Sequence, residues 1–146
     1  MKVMMLVKAN KDSEAGVMPS EALLGAMASF HEELVKAGVL LDLAGLTPTS
    51  MGKRVVFSGS PRPKIVDGPF TETKELVGGY WILQVKSMEE AVEWAKRLPF
   101  GPDTNPGGQG EIEIRPIIEI EDFAPAAAIE YHREVGKALE GNKQKK

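Results

Sequence analysis

Residues 67–75 read Asp67-Gly68-Pro69-Phe70-Thr71-Glu72-Thr73-Lys74-Glu75. Gly68 permits dihedrals that other residues avoid, and Pro69 fixes its own φ. Together they make a stiff corner that holds Asp67 at a strand end. Phe70 can pin that corner into the core, and Thr71 is a candidate cap for a short turn through Glu75. Glu72, Lys74 and Glu75 crowd several charges into that turn. Upstream, residues 53–57 and 64–67 are short strand-like runs. Ser58-Gly59-Ser60-Pro61-Arg62-Pro63 between them predicts a hairpin connection. Downstream, Gly78-Gly79 allows close backbone approach, and residues 79–85 form a strand rich in Tyr, Trp, Ile and Val.

The elements on either side of this hairpin predict the fold class. Residues 3–7 are all apolar and read as a strand buried on both faces. Residues 10–16 are polar and loop-like. Pro19 and Ser20 open a helix with Ser20 as N-cap, Leu23, Met27, Phe30 and Leu34 as its apolar stripe, and Gly38 at its end. A second strand covers residues 39–46, stopped by Thr47-Pro48. Ser87-Met88-Glu89-Glu90 is a capping box, and Ala91, Val92, Ala95 and Leu98 supply the buried face of the helix that it opens. Pro99 stops that helix, and residues 100–110 read as a loop. Residues 111–121 alternate: Ile112, Ile114, Ile118 and Ile120 share one face, and Pro116 within the run marks an edge strand. Pro125 starts a last helix, ended by Gly141, with Ile129, His132, Val135 or Gly136, and Leu139 on one side. The order β-α-β, hairpin, β-α-β, helix predicts an α+β protein, the ferredoxin-like split βαβ with an antiparallel sheet. Residues 1–123 form its domain and residues 124–146 a C-terminal helical extension with a basic tail. Two helices cover one sheet face. The apolar character of the other predicts a homodimer through the sheet faces.

The 146 residues suit one domain able to bury a core without staples. There is no cysteine, hence no thiolate nucleophile and no Cys-based metal site, which fits a cytoplasmic setting. The two histidines stand far apart, so no metal is expected. No apolar run has the length of a signal peptide or membrane span. The net charge of -3 argues against a direct nucleic-acid partner. Gly107-Gly108-Gln109-Gly110 lacks the following Lys-Ser or Lys-Thr of a phosphate loop. No cofactor is expected.

Asp67 can be read in two ways. It is the end of a structural corner with solvated charges, or a carboxylate fixed at a rigid position to hold a polar ligand. Burial would raise its pKa and make it a general base. His31 stands beside the stripe of its helix, as a boundary residue or as a chemical group. Asp42 interrupts an apolar run and faces water or a pocket. Arg54 and Arg115 have acidic neighbours to pair with. Tyr80 and Trp81 are adjacent, so one must face the helices and the other the opposite side.

Residues 67–75 and Gly78-Gly79-Tyr80-Trp81 resemble the hallmark of the DGPF family, the YciI-related (YCII) domain proteins. Residues 30–41, Leu46-Thr47-Pro48-Thr49, residues 89–96 and residues 110–116 resemble it too, so the resemblance spans roughly residues 1–123. It implies a ferredoxin-like fold that dimerises into an α/β barrel. It also implies either a small polar organic molecule bound or converted near the 67–75 segment, or a regulatory module linked to extracytoplasmic-function sigma factors. The YciI branch is suspected of using a first-helix histidine with an aspartate. Asp67 and His31 are therefore the catalytic candidates, although counting back from Gly38 puts the branch's histidine nearer Met27. Thr71, Glu72, Thr73, Lys74 and Tyr80 are the substrate-binding candidates.

Overall fold

A computed structural model describes residues 1–101, 110–123 and 127–144 of the chain. The expected loop over residues 100–110 and the role of Pro125 fall mostly outside those residues. The chain separates into two compact units, Met1–Pro116 and Ile117–Lys146.

The first unit holds β1 (Lys2–Lys8), a one-turn helix α1 (Lys11–Glu14), α2 (Glu21–Lys36) and β2 (Leu40–Gly45). Next come β3 (Lys53–Val56), β4 (Lys64–Asp67), β5 (Val77–Gln84), α3 (Met88–Lys96) and β6 (Ile112–Pro116). Four strands form an antiparallel sheet in the order β2-β5-β1-β6, while β3 and β4 pair as a separate hairpin. Proline cannot donate to a ladder from its nitrogen, and β6 with its terminal Pro116 is indeed an edge.

Register explains the core. Met5 lies opposite Trp81 and Ile114, and Val3 opposite Leu83. Directly opposed residues share a face, so these side chains form one layer against Phe30 and Leu34 of α2 and Ala91 of α3. Val3, Met5, Leu34 and Leu83 are completely buried, each worth about 1.5–3 kcal/mol relative to exposure. The apolar run at residues 3–7 is thus not buried on both faces. Met4, opposite Ile82, and Leu6, opposite Tyr80, alternate onto the other face and are only half-buried.

Local signals account for the helices. Ser20 accepts the Leu23 N–H at 3.1 Å to start α2, and Gly38, with φ of 72°, follows its end. Residues 10–16 hold a helical turn rather than only a loop. The Asn10 side chain accepts the Ser13 N–H and the Ser13 hydroxyl accepts the Asn10 N–H, a reciprocal cap that stabilises even four residues. At α3, Ser87 caps Glu90 as expected, but the Glu90 carboxylate takes the N–H of Lys86 instead of that of Ser87. Val92 is 38% exposed and does not belong to the buried face, where Trp94 packs instead.

The alternation of residues 111–121, which begins in the first unit and continues into the second, misleads. The strand stops at Pro116, Ile118 is 66% exposed, and Ile120–Asp122 is a 3-10 turn. Helix α4 (Ala127–Gln144) runs through Gly141 rather than ending there. Arg133 pairs with Glu130 and, at 3.6 Å, with Glu121. Among the described residues, no helix is long and apolar enough to cross a membrane.

Candidate functional site

The sheet gives side chains to the C-terminal half of α2 and withholds them from its N-terminal half. Below Phe30 and Leu34 stand Met5 and Leu83. Toward Leu23 the facing strands carry Gly45, Gly78 and Gly79 instead. With no side chain to rise from that floor, a cavity of about 450 Å³ opens, large enough for a small organic molecule. Its wall is mostly apolar: Val17, Leu23, Met27, Leu43, Trp81 and Phe100 are among its members. Lys8, Asn10, Asp12, Ser13, Ser20 and His31 supply its polar groups. Gly79 must stay bare, because a Cβ there would lie 2.8 Å from the carbonyl oxygen of Ala44.

His31 borders this cavity from α2. Its Nε2 accepts the indole N–H of Trp81 at 2.9 Å, and the two rings, with Phe30, form a tilted aromatic cluster. Trp81 is 6% exposed, so its indole N–H needed a partner inside the fold. Desolvation by burial lowers the pKa of His31 from its usual 6.5. The imidazole is therefore neutral near pH 7, with one ring nitrogen a donor and the other an acceptor. Lys8 is only 14% exposed and pairs with Glu113 of β6 at 3.1 Å.

The 67–75 segment builds something else. Asp67 ends β4 with its side chain 74% exposed and ion-paired with Lys53 across the hairpin. Gly68 and Pro69 are joined by a cis peptide bond. The Gly68 N–H donates to the Gly52 carbonyl at 3.0 Å, and the Phe70 N–H donates to the Thr49 hydroxyl oxygen at 3.1 Å. Phe70 lies half-buried under the Arg54 guanidinium, 3.8 Å from ring centroid to carbon, rather than in the main core. Thr49 then donates its own hydroxyl and backbone N–H to the two carboxylate oxygens of Glu14, at 2.5 and 2.8 Å. Glu14 is the last residue of α1, whose N-cap Asn10 and residues Asp12 and Ser13 line the cavity. Two stretches singled out in the sequence, Leu46-Thr47-Pro48-Thr49 and 67–75, are thus halves of one joint, and that joint grips a cavity wall.

The sequence placed a pocket beside residues 67–75, yet the cavity lining contains none of them. The structure brings together His31 and Tyr80 at the cavity. By strand alternation the Tyr80 side chain points away from the Trp81 face, so its share of the lining is backbone. Asp67, Thr71, Glu72 and Lys74 are exposed at the hairpin end, with Glu72 3.9 Å from Arg54. The side chain of Thr73 lies outside what the structure describes. Asp42 faces water beside a bulge and accepts the Leu43 N–H at 2.9 Å, and Arg115 lies 4.0 Å from Glu113. Sequence reasoning missed the α1 residues, Val17, Leu23 and Met27 as cavity wall. The available signal was the glycines at 45, 78 and 79 facing an apolar helix. Among the described residues, no three His, Cys, Asp or Glu gather as a metal site.

The sequence matches the YCII-related domain family over residues 1–121, and the chain belongs to that family. It is 31% identical over 97 residues to the uncharacterized protein R00369 of Rhizobium meliloti (strain 1021), covering 66% of this chain and 74% of that protein. Among solved structures it is similar to 5-chloro-2-hydroxyhydroquinone dehydrochlorinase from Burkholderia phenoliruptrix AC1100, in complex with 2,5-dihydroxybenzoquinone. That likeness has a TM-score of 0.46 and 14% identity over 81% of this chain and 94% of that one. It is too distant to speak to the cavity.

Proposed function

For this YCII-related chain we propose a small-molecule function: the protein binds or converts a compact organic molecule in the cavity under the N-terminal half of α2. The observation that carries this reading is a neutral histidine, anchored by a buried tryptophan, on the wall of a cavity of about 450 Å³. Few polar groups on a largely apolar wall is how small-molecule sites are commonly built. His31 is the chemical group of the site. Asp67, Thr71, Glu72 and Lys74 serve the joint that supports it, a role supported by their exposure and by the Thr49–Glu14 linkage.

The test is a fragment screen read by the fluorescence of Trp81, in a Trp94→Phe background so that one indole reports. Binding fragments should quench it, and Leu23→Phe, which crowds the cavity without adding an indole, should weaken or abolish binding while the protein stays folded. A diverse screen without a single binder to folded protein would defeat the proposal.

We also infer that the ferredoxin-like unit assembles as a homodimer through its sheet faces, closing an α/β barrel. Half-buried Met4, Leu6, Tyr80 and Ile82 on the face away from Trp81 support this.

A further inference from the structure

We propose that His31 meets its ligand as a hydrogen-bond donor through Nδ1–H, and that the ligand is an uncharged carbonyl compound with an apolar body. This rests on the cavity reading above and narrows it. An indole N–H can only donate. Its bond to Nε2 of His31 therefore occupies the lone pair of that nitrogen, and the neutral ring must carry its proton on Nδ1. Nδ1 makes no hydrogen bond to another described residue, and no polar side-chain atom there is buried without a partner. Nδ1–H thus opens onto space that a ligand can enter. As held, the ring is not a base. To accept a proton at Nε2 it would first have to give up Trp81.

A donor on the wall calls for an acceptor on the ligand. The charges of the wall say which kind. Its formally charged members are Lys8 and Asp12, and Lys8 is already paired with Glu113 at 3.1 Å. The described lining therefore offers no spare cation to offset a carboxylate or phosphate, which is costly to bury unpaired. Its one acid, Asp12, is exposed to water, where pairing with a cationic ligand contributes little. A hydroxyl would bring a proton that needs its own acceptor. The side-chain oxygens of Asn10, Ser13 and Ser20 already accept backbone N–H groups, and Asp12 is exposed, so a bond to it only replaces a bond to water. A ketone or aldehyde oxygen makes neither demand. Val17, Leu23, Met27 and Phe100 fit an aromatic or alicyclic body behind it.

The experiment uses the full chain labelled with ¹⁵N-histidine, with His132→Gln to assign the two rings. Long-range proton–nitrogen spectra report which nitrogen of His31 carries the proton. Acetophenone and isopropylbenzene, alike in size but differing in the acceptor, are then titrated in. The expected result is a protonated Nδ1, a shift of that resonance with acetophenone, and a preference for acetophenone of roughly fivefold, as one neutral hydrogen bond gives. His31→Phe should erase the preference. If that variant does not fold, the tautomer and the probe pair on the unsubstituted protein decide alone. A proton on Nε2 overturns the inference, even if both probes bind. Equal binding of the two overturns the ligand class and leaves the cavity reading standing. With Nδ1 protonated, failure of both probes to bind overturns the ligand class, while the fragment screen above decides the cavity reading separately.

Discussion

A methyl group added at Gly68 would stand 1.7 Å from the carbonyl oxygen of Thr49, a backbone atom that cannot swing aside. Gly68→Ala should therefore cost about 2–4 kcal/mol, in the range where steric strain of this kind falls. A urea midpoint equal to that of the parent would contradict it. His31 sets a different expectation. Burial holds its pKa below the ordinary 6.5, so the unfolded chain takes up the proton first as pH falls. The stability that comes from keeping the ring neutral is complete above pH 6.5. It is lost as pH drops from there through the lower folded value. Urea midpoints measured from about pH 7.5 to 5 should fall, and His31→Gln should flatten part of that fall. An identical slope in the two proteins would refute the assignment.

At the scale of elements, the joint between Thr49 and Glu14 links a hairpin to a helix that is otherwise only one turn long. Thr49→Ala removes the hydroxyl that both donates to Glu14 and accepts from Phe70. The expected loss is about 1–3 kcal/mol. It should come with faster amide exchange in α1 and at Phe70, largely restored in Thr49→Ser. Exchange unchanged in α1 would mean that the joint does not hold the cavity wall. Elements with strong local chemistry were legible in the sequence: α2 from Ser20 and Gly38, the hairpin from its Pro-Gly connection, β5 from its aromatic and β-branched run. The misreadings have physical causes. Residues 117–121 alternate by composition alone, and among the described residues no strand pairs with them beyond Pro116. Gly141 lowers helix propensity without forbidding a helix, and α4 passes through it.

At the scale of the whole molecule, the sheet face carrying Met4, Leu6, Tyr80 and Ile82 tests the assembly. Sedimentation should give a dimer at micromolar concentration, and Leu6→Glu should give a folded monomer. A parent protein that sediments as a monomer would end the barrel proposal. The cavity itself was hardly legible, because its wall joins residues scattered from Val7 to Gly110 that meet only after the strands pair. Residues 67–75 drew attention because their chemistry is contiguous, and contiguity is what a chain shows before it folds. His31 was legible as a candidate. Its partner Trp81, fifty positions away, was legible only as a residue that faces one side of the sheet or the other.

The bare floor at residue 45 has a consequence for selectivity. Unlike Gly79, Gly45 has nothing within 4 Å of where a Cβ would sit, and its backbone needs no left-handed angle. Gly45→Ala should therefore raise stability by about 0.4–1 kcal/mol through the unfolded chain while making the chamber shallower. Bulkier residues at the same position would continue the series. One site that has room for a side chain would thus act as a sieve gauge, and relatives differing there would sort guest molecules by girth while keeping the same chemistry on the wall.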